Sequence, residues 1–171
     1  MAKKIRIKFI FFILFIHFLL LFNTAYAKKY SEIMVLGNER LSLETITIFS
    51  GLNLKNEIEN QDLNDAIKKL YKTNYFKNII ITTNNDIIQI DIQENPIIQS
   101  IRIIGVKNKS INNKLLDITK KNEKYPFLEQ NIKKQKNLLL NVIRANGFYF
   151  ASVEVKIIDN QNNSVDLLYD F

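Results

Sequence analysis

The sequence predicts an α+β fold of two tandem modules, each a three-stranded mixed sheet with two helices on one face in the order β-α-α-β-β. Two observations lead to this prediction. The segment EIMVLG at residues 32–37 is matched by SIRIIG at residues 100–105. A helix exit followed by aromatic residues occurs as NYF at 74–76 and again as GFY at 147–149. The repeat places module 1 at residues 28–95 and module 2 at residues 96–171.

Residues 1–27 have the pattern of a secretory signal peptide. Basic residues between Lys3 and Lys8 precede a 14-residue apolar stretch from Phe9 to Phe22, and Ala25-Tyr26-Ala27 follows as a small-x-small cleavage site. The apolar stretch is shorter than the roughly 20 residues that a membrane-spanning helix needs. We therefore expect cleavage before Lys28 and export, with an uncleaved membrane anchor as the alternative.

Composition excludes several classes of function. The formal net charge of +7 (24 basic, 17 acidic residues) falls to +3 without the four basic residues of the signal, which is too mild to indicate nucleic-acid binding. The chain has no cysteine or tryptophan, and its one histidine, His17, lies in the signal. A Ser-His-Asp triad, a Cys-His dyad and a His/Cys zinc site are therefore excluded from the mature chain. We expect no enzyme activity, metal or cofactor.

Module 1 begins with a strand near residues 32–36, which Gly37 ends. Ser42 is placed to cap a short helix that stops at Gly51. A second helix from about Asp62 has apolar residues at helical spacing, namely Leu63, Ala66, Ile67, Leu70 and Tyr71. Asn74 is expected to end it in a left-handed conformation, and strands 76–83 and 87–94 follow as a hairpin.

Module 2 repeats this order. We expect a strand at 97–104, a short helix at 111–120 and a longer helix at about 128–146 that ends before Gly147. The alternation of Ala151, Val153, Val155 and Ile157 predicts a strand at 149–158, paired with residues 164–171. Between the modules, Pro96 cannot donate to a ladder, so Glu94, Asn95 and Pro96 are predicted to form an inter-module hinge.

The predicted connectivity leaves the middle strand of each module at one edge of its sheet. Such an edge can bind an extended segment by β-augmentation, with little demand on its sequence, although charged residues there would blunt it. The candidate edge residues for binding clients and partners are Phe76, Lys77, Asn78, Ile79, Ile80, Ile81, Tyr149, Phe150, Ser152, Val153 and Glu154.

Four segments resemble the first two POTRA domains of the outer-membrane protein assembly factor BamA family. They are LGNERLS (36–42), NDAIKKLYKTNYFKNIIIT (64–82), IDIQENPIIQSIRIIGVKNKS (90–110) and RANGFYFASVEVKII (144–158). The resemblance implies a periplasmic scaffold, associated with the outer membrane, that binds unfolded outer-membrane proteins and assembly-machinery lipoproteins. Asn74 stands where the family usually has glycine.

Three alternatives remain from the sequence. Family relatives have further POTRA modules and a membrane barrel without counterpart here, so the chain is expected to be either a soluble periplasmic pair or a truncated, non-functional fragment. A membrane-anchored POTRA protein of the cell-division type would require residues 9–22 to stay uncleaved. An RNA-binding KH domain shares the β-α-α-β-β elements, but its G-x-x-G loop is missing from residues 51–60 and 121–126.

Overall fold

The computed structural model describes residues 27–171. The predicted signal peptide lies outside the described residues except for Ala27. Within residues 27–171, no helix combines the length and apolar character that crossing a membrane requires.

Module 1 contains five elements in the predicted order. They are β1 (Glu32–Leu36), α1 (Leu43–Ser50), α2 (Asn60–Lys72), β2 (Phe76–Asn84) and β3 (Ile87–Glu94). The Ser42 hydroxyl accepts a hydrogen bond from the Thr45 N–H, and Gly51 ends α1 at a φ of 70°. Helix α2 begins two residues before Asp62, whose carboxylate accepts the Glu59 N–H at 2.8 Å. Asn74 has a φ of 64°, as its position after the helix predicts.

The sheet of module 1 has the order β1-β3-β2. Strand β1 pairs parallel with β3, and β2 pairs antiparallel with β3. The alternation of β3 places Ile88 and Ile90 fully inside, where they pack with Ile46 of α1 and Leu70 of α2. The mixed sheet with β2 at one edge is therefore the one that the sequence predicts.

Module 2 repeats the architecture with its own core. Its elements are β4 (Ile97–Ile104), α3 (Lys109–Lys120), α4 (Glu129–Ala145), β5 (Glu154–Asn160) and β6 (Ser164–Asp170). The sheet order is β4-β6-β5, with β4 parallel and β5 antiparallel to β6. Leu115, Leu139 and Leu167 are fully buried beside Tyr169, whose hydroxyl donates to Gln135 Oε1. Burial raises the pKa of Tyr169, so the phenol stays neutral.

The start of β5 differs from the sequence prediction. The predicted strand begins at Tyr149, whereas β5 begins at Glu154, and residues 148–153 form an irregular segment instead. The Phe148 N–H bonds back to the Ile143 carbonyl at 3.4 Å, and the Ala151 N–H bonds to the Phe148 carbonyl at 3.1 Å. The second bond uses the Ala151 N–H inside a turn, so the backbone is not extended at the predicted start of the strand despite the alternating pattern.

Candidate partner-binding edges and the junction between modules

The edge formed by β4 is covered by the loop between the two helices of module 2. Ile98 donates its N–H to the Tyr125 carbonyl at 3.0 Å and accepts the Lys124 N–H at 2.7 Å. The Phe127 N–H bonds to the Pro96 carbonyl at 2.7 Å, and Ile97 and Pro126 form an antiparallel bridge. This loop therefore acts as a short extra strand along β4.

The corresponding loop in module 1 pairs next to β1. Lys28 and Ile58 exchange backbone hydrogen bonds of 3.0 and 2.8 Å. Within residues 27–171 the inter-helix loop thus lies on the β1 or β4 side of each sheet, and the opposite edges belong to β2 and β5. The β2 and β5 edges are the candidate binding surfaces.

The free edge of β2 offers a defined set of backbone groups. Asn84 and Ile87 pair on either side of a two-residue turn, and in such hairpins the flanking pair is hydrogen-bonded. Because hydrogen-bonded and non-hydrogen-bonded pairs alternate, Ile79, Ile81 and Thr83 direct their N–H and C=O groups away from β3. The predicted edge residues Ile79 and Ile81 thus lie on the outward-bonding register, and Ile80 lies on the inward one.

The side chains of β2 divide between the two faces of the sheet. Phe76 and Ile79 are buried under the helices, whereas Lys77, Asn78 and Ile80 are exposed. The register shifts between Phe76 and Asn78, so a bulge at Lys77 interrupts the start of the strand. The regular part of the edge therefore runs from Asn78 to Asn84.

One amide on this edge already has a partner that the sequence did not indicate. The Ile79 N–H donates to the hydroxyl of Tyr71 in the last turn of α2, at 3.1 Å. The helical spacing predicts that Tyr71 faces the core, yet 42% of the residue is exposed. Its position at the rim of the helix lets the phenol reach over the sheet edge.

The edge of β5 is shorter and more charged than that of β2. Strand β5 has seven residues against nine in β2, and its exposed Lys156 forms an ion pair with Asp170 at 3.3 Å. Of the predicted edge residues in module 2, Glu154 alone belongs to the strand; Tyr149, Phe150, Ser152 and Val153 precede it. Val153 is buried, so its side chain belongs to the core.

The predicted hinge residue Glu94 is the centre of a hydrogen-bonded junction. Its buried carboxylate accepts the N–H groups of Glu39, Arg40 and Leu41 on Oε1, at 2.9 to 3.1 Å. The Arg40 Nε donates to Oε2 at 3.2 Å. Burial alone would raise the pKa of Glu94, but the three backbone N–H donors and the Arg40 side chain together hold that pKa below its usual value.

The Arg40 side chain continues from Glu94 into module 2. Its two terminal nitrogens donate to the carbonyls of Asn95, at 2.7 Å, and Asn163, at 3.0 Å. Asn163 in turn donates its side-chain amide to the Glu94 carbonyl at 3.3 Å and accepts the Ile97 N–H at 3.2 Å. The sequence prediction named Glu94, Asn95 and Pro96 as the junction. It missed Arg40 and Asn163, because both lie in loops that are distant in sequence from these three residues.

A cleft of about 410 Å³ lies between the modules. Thr73 and Asn74 line it from module 1, and Tyr125 and Pro126 line it from module 2. In the part of the chain that the structure describes, no three histidine, cysteine or acidic residues are grouped as metal ligands.

Comparison with known proteins confirms the resemblance to POTRA domains. Residues 96–171 match the POTRA family model, described as "Surface antigen variable number repeat". Over 89 residues the chain is 26% identical to an "Outer membrane protein assembly factor BamA" of Neorickettsia risticii, a match that covers 52% of this chain and 12% of that protein. This chain therefore corresponds to a small part of that relative's length.

The fold is similar to that of the N-terminal domain of Omp85 from the cyanobacterium Thermosynechococcus elongatus. The TM-score is 0.53 at 12% identity, over 85% of this chain and 63% of that chain. At this identity the likeness supports the fold.

Proposed function

Because residues 96–171 match the POTRA family model and module 1 repeats the same order of elements, we propose that the chain is a periplasmic scaffold in outer-membrane protein assembly. It binds unfolded outer-membrane proteins and partner proteins of the assembly machinery by strand addition, chiefly at the β2 edge of module 1. Cleavage before Lys28 releases the mature chain of residues 28–171, with module 1 at 28–95 and module 2 at 96–171.

The observation that carries this proposal is the part of the β2 edge that follows Ile79, whose own amide is bonded to the Tyr71 hydroxyl. Ile81 and Thr83 present outward backbone donors and acceptors, with the side chain of Thr83 exposed and that of Ile81 half-buried. The β4 edge of module 2 is occupied by its own loop, and the β5 edge is short and carries an ion pair. Strand addition relies on backbone bonds and therefore tolerates many client sequences.

Clients of this machinery supply suitable strands. Transmembrane β-strands alternate apolar and polar residues over about ten positions. An incoming strand of this pattern could place its apolar side chains on the same face of the sheet as exposed Ile80. This complementarity supports the client class without selecting one client.

A proline substitution at Thr83 tests the proposal. The Thr83 N–H faces outward, so proline removes an edge donor and places its ring in the path of an added strand, while the β2–β3 ladder keeps its bonds. We expect Thr83→Pro to weaken binding of a ten-residue peptide from an outer-membrane barrel strand by at least about tenfold, from the lost donor together with the steric block. Amide chemical-shift titration measures the affinity and maps the shifts.

The matched control is Thr83→Ala, which keeps the backbone donor. It should bind the peptide as the wild type does, with shifts centred on Ile81 and Thr83. Equal peptide affinity in a folded Thr83→Pro protein, or shifts that map elsewhere, would contradict strand addition at β2.

A further inference from the structure

Tyr71 occupies the first outward-facing backbone donor of the regular β2 edge. The Ile79 N–H points away from β3, and the Tyr71 hydroxyl accepts it at 3.1 Å. The bulge at Lys77 precedes this point, and the next outward N–H groups belong to Ile81 and Thr83. The phenol stands where the first carbonyl of an added strand would bind.

We propose that Tyr71 is an edge clasp: its hydroxyl closes the amino-terminal part of the β2 edge and makes an incoming strand begin its pairing at Ile81. The inference rests on the proposed strand addition and deepens it. An amide N–H makes one strong hydrogen bond, so a client carbonyl can bind Ile79 only after the hydroxyl leaves. Tyr71 therefore determines the length and register of pairing, and it lowers client affinity.

The surroundings of Tyr71 suit a contact that can open. The residue lies in the last turn of α2 and is 42% exposed, so its side chain can rotate into solvent without leaving a cavity in the core. With Tyr71 in place, Ile79 is only 6% exposed, and the Tyr71 hydroxyl is the hydrogen-bond acceptor for its outward-facing amide. The hydroxyl thus satisfies the Ile79 amide while the clasp is closed, and a client carbonyl can satisfy it only when the hydroxyl is displaced or removed.

Module 2 has a contact at the same position of the repeat. Arg144 lies three residues before Gly147, as Tyr71 lies three residues before Asn74. The Arg144 guanidinium donates to the Ala151 carbonyl at 3.0 Å, in the segment that precedes β5. The chemistry differs, since the phenol accepts from a donor and the guanidinium donates to an acceptor. In both modules a side chain from the end of the second helix forms a hydrogen bond with the backbone near the start of the edge strand.

The test compares the full chain with Tyr71→Phe, which removes the hydroxyl and keeps the ring. Amide hydrogen exchange, followed by NMR, should show Ile79 protected relative to Ile81 and Thr83 in the wild type and unprotected in Tyr71→Phe. The variant should bind the ten-residue barrel-strand peptide about two- to tenfold more tightly, as expected from one competing hydrogen bond. The peptide-induced shifts should extend from Ile81 to Ile79.

Tyr75→Phe is the matched control. Tyr75 stacks on Phe49 with the ring centroids 5.9 Å apart, which its phenylalanine variant retains. It should leave both the exchange of Ile79 and the peptide affinity at wild-type values.

The possible failures are distinguishable. If the peptide binds the wild type at Ile81 and Thr83 but Tyr71→Phe gains no affinity, the clasp is overturned and strand addition stands. If Ile79 exchanges equally in both proteins, the hydrogen bond does not protect the amide and the clasp is again overturned. If the peptide shifts no β2 amide in either protein, strand addition itself fails and the clasp fails with it.

Discussion

At the scale of single residues, Glu94 shows how a buried charge can be accommodated. An isolated carboxylate is costly to bury, but this one has three backbone N–H donors and the Arg40 guanidinium as partners. The ion pair also connects the end of β3 to the loop after Gly37. Gly37 is required there because its φ is 81° and a Cβ would clash with the Ile92 carbonyl oxygen.

The lowered pKa of Glu94 predicts a specific pH dependence. A group whose folded pKa lies below its unfolded value of about 4.3 stabilises the protein fully above that pH and loses the contribution as the pH falls through the folded pKa. Glu94→Gln should therefore lower the free energy of unfolding near neutral pH, and its difference from wild type should shrink as the solution is acidified. Urea unfolding across the acid range measures both.

Glu39→Gln provides the comparison for this experiment. Glu39 lies in the same loop, but its side chain is exposed. It should follow the wild-type pH profile. A gap between wild type and Glu94→Gln that stays constant down to about pH 2, well below the unfolded value, would refute the assigned role.

At the scale of secondary-structure elements, the segment before β5 is the place where the alternating sequence pattern predicts a strand and the structure has a turn. Tyr149 is 74% exposed and Phe150 fully exposed, whereas Val153 is 5% exposed. The turn that follows Gly147 places the aromatic side chains outside the core and lets Val153 enter it. Within this segment, the predicted alternation is met by buried Val153 and by half-buried Ala151, which packs against the same core.

Substitutions at buried Val153 and at exposed Phe150 should therefore differ in their effect on stability. Val153→Ala should reduce the free energy of unfolding by about 1–3 kcal/mol because it leaves a cavity in the core of module 2. Phe150→Ser should change it by less than about 0.5 kcal/mol, as is usual for exposed positions. Chemical denaturation measures both values. A loss above about 2 kcal/mol for Phe150→Ser would mean that the ring is buried and that the strand begins earlier.

At the scale of the whole molecule, the junction determines how the modules are arranged. Arg40 contacts the carboxylate of Glu94, the carbonyl of Asn95 and the carbonyl of Asn163 across a separation of 123 residues in sequence. Together with the Asn163 contacts, these bonds supplement a linker that Pro96 already restricts. We therefore expect the two sheets to keep a fixed relative orientation.

Removal of Arg40 should release this orientation. In the wild type, residual dipolar couplings from residues 28–95 and 96–171 should fit one alignment tensor. Arg40→Ala should require two, because the bonds to Asn95 and Asn163 are lost. It should also destabilise module 1 by about 1.5–3 kcal/mol, the usual contribution of a hydrogen bond to a charged group.

Arg102→Ala controls for the loss of an arginine. Arg102 is exposed on β4, away from the junction. Its variant should retain the single tensor. A single tensor for Arg40→Ala as well would show that the linker and the Asn163 contacts hold the modules without Arg40.

Features that depend on neighbouring residues could be predicted from the sequence. Ser42, Gly51 and Asn74 mark helix ends because capping and left-handed conformations are local properties. The alternation of β3 and the helical spacing of α2 identify their buried faces, and the repeat gives the order of the elements. From these follow the α+β fold, the mixed sheets and the position of β2 at an edge.

Which backbone groups on those edges already have hydrogen-bond partners could be seen only in the folded structure. The hydroxyl of Tyr71 on Ile79, the loop along β4 and the Arg40 contact with Asn163 each join segments that are not neighbours in the sequence pattern. Such contacts depend on where the rim of a helix meets the rim of a sheet, and on how one module turns relative to the other. Periodicity gives the face on which a side chain lies but not the reach of that side chain over an edge, because reach is fixed only when the elements pack.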